Sequence, residues 1–220
     1  MLYESQILKE NPKAEYLEDI KLALKNVESN YFNWYMHKPA TDGTISEEIV
    51  INHEERVFAY ELYHQIRKIM EEDPIPDRYK KVYLNGEAIK DDKFFTDLYE
   101  GLSIYYKSFK DDKNNKRIPD LVLHKDQGSI NKEGQIYLAE IKMGDNKKAL
   151  ADLEKLTALK KSNLAFEFYI FIYVGKDINE FKEELKQIDT SKYSKDIVCI
   201  CTKYQQSTCN TLGELLEIVE

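Results

Sequence analysis

QIYLAEIKM (Gln135–Met143), a helical run from Asp145 to Lys161, and LAFEFYIFIYV (Leu164–Val174) together decide the architecture. The first segment is short and rich in β-branched and aromatic residues, which predicts a strand. The second places Ala149, Leu150, Leu153, Leu156 and Leu159 at helical spacing, so one side of a helix is apolar. The third is apolar throughout apart from Glu167, the composition of a strand buried on both faces. A strand, a helix and a strand joined by a right-handed crossover predict two parallel strands in one sheet with the helix packed on it. The expected class is α/β.

Working towards the N-terminus, Arg117 to Leu123 reads as a strand joined to Gln135–Met143 by a polar loop containing Gly128 and Gly134, the pattern of an antiparallel hairpin. Short apolar runs at Val82 to Leu84 and Leu102 to Tyr106 are further candidate strands. Before them, Ser46 followed by Glu47 and Glu48 looks like a helix start. The helix would run from about Glu48 to Glu72, packing Phe58, Ala59, Leu62, Ile66, Ile69 and Met70 inward, and Pro74 and Pro76 would end it. Carried backwards at about 100° per residue, that stripe reaches Glu55, whereas Glu54 and Glu61 fall about a quarter-turn or more away. A carboxylate on an inward stripe needs a partner.

Asn30 to Thr44, with four aromatics, Pro39 and Gly43, reads as an irregular packed loop, and Ala14 to Val27 as an amphipathic helix. Towards the C-terminus the expectations are a helix at Ile178 to Ile188, a strand at Asp196 to Thr202 and a helix at Thr211 to Val219. These elements form one domain over residues 1–220: a helical N-terminal extension (1–46), a core (47–174) and a C-terminal helix-strand-helix extension (175–220). No repeat or low-complexity segment interrupts them.

The bulk composition excludes several function classes. With 220 residues and 42% hydrophobic content the chain buries one substantial core, and its longest apolar run is too short for a membrane span. No signal peptide is recognisable, so a soluble cytoplasmic protein is expected. The cysteines, Cys199, Cys201 and Cys209, lack paired zinc-site spacing, and the four histidines are scattered. A net charge of -8 argues against indiscriminate coating of nucleic acid. Residues 107–161 nevertheless hold thirteen Lys or Arg against nine Asp or Glu, an excess of +4 that leaves -12 for the remainder. A local basic surface is therefore compatible with the composition, although such a run is commonly just a solvated face. No glycine-rich phosphate loop or nucleophile motif points to a small-molecule enzyme.

The residues that carry chemistry are Asp120, Glu140 and Lys142. Strand alternation sets Glu140 and Lys142 on one face while Ile141 points to the other, and Asp120 lies on the partner strand of the hairpin. Their neighbours are mostly apolar, so these charges are costly unless paired or bound to metal. A same-face ion pair between Glu140 and Lys142 would be the simpler explanation.

Ile118-Pro119-Asp120, followed twenty residues later by Glu140-Ile141-Lys142, resembles the signature of the PD-(D/E)xK nuclease superfamily, which includes restriction endonucleases and Holliday-junction resolvases. The order of elements from about residue 50 to 174 is similar too. It implies a restriction endonuclease-like αβββαβ core with a mixed central sheet flanked by helices. By the same resemblance, Asp120 and Glu140 would coordinate a divalent metal, with the backbone carbonyl of Ile141 as a further ligand. Glu55 would match the helix glutamate that some members add. Mg2+, with Mn2+ as a substitute, suits such hard oxygen donors. Lys142 would orient the attacking water or stabilise charge near it, and Lys147, Lys148 and Lys155 are candidates for a basic residue on the following helix that contacts nucleic acid. The implied reaction is metal-dependent phosphodiester hydrolysis, on DNA more than RNA, with a homodimer as a compatible assembly. The alternative is a catalytically inactive nuclease-fold domain that acts as a binding or scaffolding module.

Overall fold

A computed structural model describes residues 5–32, 34–39, 45–50, 55–86, 119–125, 134–144, 146–161, 166–203 and 206–217. Six strands form a mixed open sheet in the order β3 (Val82–Asn85), β4 (Leu121–Lys125), β5 (Gln135–Met143), β6 (Phe168–Val174), β7 (Val198–Lys203) and β8 (Gln206–Thr211). The pairs β5-β6 and β6-β7 are parallel; the other three are antiparallel. The parallel pairs require crossovers, which α5 (Asn146–Lys161) and α6 (Ile178–Leu185) supply.

Helices cover both faces of the sheet. Strand alternation sends Tyr137, Ala139, Ile141 and Met143 of β5 into a core shared with α2 (Ala14–Asn26) and α4 (Glu55–Met70), through residues such as Leu24, Phe58 and Leu62. Leu138 points the other way, into a core built from Leu153 and Leu156 of α5, Phe181 of α6 and Leu215 of α7 (Leu212–Glu217). Every residue of β5 and β6 is buried, as a central strand covered by helices on both sides requires. Asp177 caps α6 by accepting from the backbone N–H groups of Asn179 and Glu180, and the Glu180 carboxylate accepts the Asp177 N–H in return. Among the described residues no helix is long and apolar enough to cross a membrane.

The strand-helix-strand reading of Gln135–Val174 holds, with β6 beginning at Phe168 because Phe166 and Glu167 precede the ladder. Two N-terminal expectations are corrected. Within Asn30 to Thr44, read as a loop, the chain forms the short helix α3 (Ser29–Phe32) and β1 (Trp34–Pro39), and β1 pairs antiparallel with β2 (Ile45–Val50). Ser46, read as a helix start, therefore lies in a strand, and α4 begins at Glu55. Trp34, Tyr35, Ile45, Ile49 and Val50 are strand formers, and their cross-strand pairing outweighs the local Ser-Glu-Glu signal.

Val82 to Leu84 is in β3, whereas Leu102 to Tyr106 lies outside the described residues. Residues 117 and 118 also lie outside them, and the ladder of β4 starts at Leu121. At the C-terminus β8 was not foreseen, so the segment after β6 is helix, strand, strand, helix. Its sequence, QSTCNT, has no apolar alternation; it is a strand because it pairs with β7 and buries Thr208, Cys209 and Asn210.

Candidate active site

The side chains singled out by the sequence meet at the C-terminal half of β5. In the β4-β5 ladder Leu121 pairs with Ala139, so one step further Asp120 stands opposite Glu140 and shares its face of the sheet. The Asp120 N–H donates to the Ala139 carbonyl at 2.9 Å. Its carboxylate then takes over from the ladder, because Oδ2 accepts the Ile141 N–H at 2.8 Å. Backbone polar groups alternate between strand edges, so the Ile141 carbonyl shares this β4-side edge, beyond the last ladder pair. Gly144, at φ +65°, turns the chain away immediately after the strand.

Glu140 and Lys142 project from β5 towards α5, and both are buried. Lys155 of α5 places Nζ 2.6 Å from Oε1 of Glu140. Lys142 contacts two acids from opposite layers: Glu55 Oε2 at 2.5 Å, from the first turn of α4, and Asp152 Oδ2 at 3.8 Å, from α5. Glu55 also accepts the Met143 N–H at 3.3 Å, which ties the start of α4 to the end of β5. Its position at a helix N-terminus favours its negative charge.

Burial is the largest influence on the electrostatics of Glu140, Lys142 and Asp152. Burial pushes the Glu140 carboxyl well above the usual carboxylate range, and the nearby Asp120 adds to the shift while Lys155 opposes it. Burial also pushes Asp152 up to about 6, against the pull of Lys142 and Lys155. Lys142 is raised: burial pulls it down, but Glu55, Asp152 and Asp120 together outweigh that effect. Among the described residues four carboxylates and two ammonium groups gather here, an acid-rich set in which burial favours the neutral forms of Glu140 and Asp152.

Two of these acids are of the kind that could hold a divalent cation. Asp120 and Glu140 offer hard oxygens on adjacent strands, and Mg2+ characteristically uses one or two carboxylates while keeping several waters. Among the described residues no group of three or more His, Cys, Asp and Glu is already gathered as a ligand cluster. A two-carboxylate site with waters does not require one.

Asp120, Glu140, Lys142 and Glu55 are thus brought together. Lys155 joins them, whereas the side chains of Lys147 and Lys148, in the first turn of α5, lie outside the described residues. Asp152 was missed. The signal that selected Glu55 was available for it: on the α5 wheel Asp152 falls between the buried Leu156 and Leu159. The chain matches no family profile, no curated protein and no solved structure.

Proposed function

We propose that this chain is a Mg2+-dependent nuclease with a PD-(D/E)xK site, hydrolysing phosphodiester bonds of DNA. One observation carries the reading: Asp120 stands opposite Glu140 one step past the β4-β5 ladder, with Lys142 two residues on and on the same face. Among the described elements the chain order α4, β3, β4, β5, α5, β6 supports it, because it matches the αβββαβ order of a restriction endonuclease-like core. Asp120 and Glu140 would hold the metal, with the Ile141 carbonyl and Glu55 as further oxygen donors. When bound, the ion would lower the pKa of a water molecule and neutralise charge on the phosphoryl group. Lys142, two residues from Glu140 on the same face of β5, would supply a positive charge suited to orienting the attacking water or offsetting charge as the leaving oxygen departs. DNA as substrate, Mn2+ as a substitute and a homodimer as the assembly are proposed on the resemblance alone.

The test is cleavage of supercoiled plasmid and labelled oligonucleotides with Mg2+ or Mn2+, by the wild type and by Asp120→Ala, Glu140→Gln and Lys142→Ala. Cleavage that needs the ion and disappears in all three folded variants is expected. A folded wild type that cuts neither DNA nor RNA with either ion would sink the proposal.

A second reading has an observation of its own. Lys142 is engaged by Glu55 and Glu140 by Lys155, so the acids have internal counter-ions. A binding or scaffolding module that keeps these pairs as structure would bind nucleic acid or protein without cutting, and Glu140→Gln would leave its binding intact.

A further inference from the structure

The role of Lys142 depends on where its ammonium is held, and the structure gives it two anchors of different character. Glu55 is the nearer, at 2.5 Å, but it sits in the first turn of α4, on a longer side chain, and also accepts the Met143 N–H. Asp152 is further away, at 3.8 Å, on a shorter and less exposed side chain, 23% against 36%. It lies well inside the 16-residue α5, past its first turn, where the helix backbone fixes its position. An acid on the sheet-facing side of a helix, among Leu153, Leu156 and Leu159, is costly to bury unless a positive charge meets it. Lys142 is the β5 charge that meets it.

We propose that Asp152 is a positioning residue that holds Lys142 from the α5 side, so that its ammonium keeps its place on the α5-facing side of β5 when Glu55 is drawn to another partner. The proposal rests on the nuclease reading, and it separates two tasks that the sequence motif merges. Glu55 shares its carboxylate between Lys142 and the end of β5, and is free to turn towards a cation only if Lys142 keeps a second acid. Asp152 is that second acid. Its ion-pair contact on β5 is with the Lys142 ammonium, and it is through Lys142 that it would act on the reaction.

The experiment compares wild type, Asp152→Asn, Asp152→Glu, Lys142→Met and the double variant Asp152→Asn/Lys142→Met. It measures steady-state DNA cleavage and, separately, Mg2+ or Mn2+ binding by calorimetry. Asp152→Asn is expected to lower kcat by roughly 10- to 100-fold with KM and metal affinity within about two-fold of wild type. Asp152→Glu should recover most of that loss. The double variant should be no slower than Lys142→Met alone, because the two residues act as one unit.

Three results overturn the proposal while leaving the nuclease reading intact. They are wild-type kcat in Asp152→Asn, a double variant whose losses multiply, and a ten-fold drop in metal affinity in Asp152→Asn, which would make Asp152 a ligand. A wild type that neither binds metal nor cuts DNA overturns both together.

Discussion

Two groups of buried charge lie on opposite sides of β5, and they are built on different terms. On the α2 side, Asp19 accepts from Nε and Nη2 of Arg78 at 2.8 and 2.9 Å and from the Tyr79 hydroxyl at 2.6 Å. The Arg78 guanidinium also lies over the Tyr79 ring, 4.9 Å from its centroid, and the Arg78 carbonyl accepts the Tyr16 hydroxyl. One acid meets one base, with donors matched to acceptors. Around Glu140 and Lys142, among the described residues, four acids meet two lysines, and burial pushes Glu140 and Asp152 above their ordinary range. The first arrangement is what a core tolerates; the second is, among the described residues, a surplus of acids over lysines that burial penalises. An acid-rich cluster at the end of a central strand is what the proposed metal site would require.

The largest break in that comparison is functional. If the surplus serves catalysis, Glu140→Gln should lower DNA cleavage on the order of 10³-fold or more while thermal unfolding stays near wild type or improves. Removing a carboxylate from the matched cluster should do the opposite. Asp19→Ala leaves the Arg78 guanidinium and the Tyr79 hydroxyl partly buried without their acceptor, and should cost about 2–4 kcal/mol in urea unfolding. It should leave cleavage by the folded fraction unchanged. If Asp19→Ala were harmless and Glu140→Gln strongly destabilising, the assignment of the two clusters would have to be exchanged.

The two clusters also differed in how readable they were. Glu140, Lys142 and Asp120 were legible because strand alternation is local: once Gln135–Met143 is a strand, the faces follow, and the hairpin brings Asp120 alongside. Glu55 was legible because a helical stripe can be extended backwards, even though the helix itself starts seven residues later than expected. The Asp19 cluster was not legible, since Asp19 lies 59 residues from Arg78 and nothing in either segment announces the pairing. The β1-β2 hairpin was missed for a related reason. Its strands are held by each other, and a Ser-Glu-Glu helix signal inside one of them is overridden only by pairing that local reading does not see. Likewise β8 has no apolar alternation and becomes a strand only through its ladder to β7.

Asp152 provides the finest test of the surplus, because its effect on stability has a definite sign. Its carboxyl is pushed up to about 6 in the folded protein, mainly by burial, so the fold disfavours its ionised form. At about pH 3 and below it carries its proton in both the folded and unfolded states, and the penalty is absent. As pH rises towards 6 the unfolded chain releases that proton more readily than the folded one, so stability falls, and above about 7 the full cost is present. Asn carries no charge at any pH. Asp152→Asn should therefore be more stable than wild type at pH 7.5, by about 1–3 kcal/mol, and the advantage should shrink to nothing near pH 3. Saturating Mg2+ should narrow the gap at pH 7.5, because a cation bound to Asp120 and Glu140 offsets the charge that Asp152 otherwise feels. A variant that gains stability at neutral pH while losing kcat would show that this acid is kept at a cost to the fold. Equal stability of the two proteins across pH 4 to 8 would mean that Asp152 is already neutralised by Lys142 and Lys155, and the contrast with Asp19 would disappear.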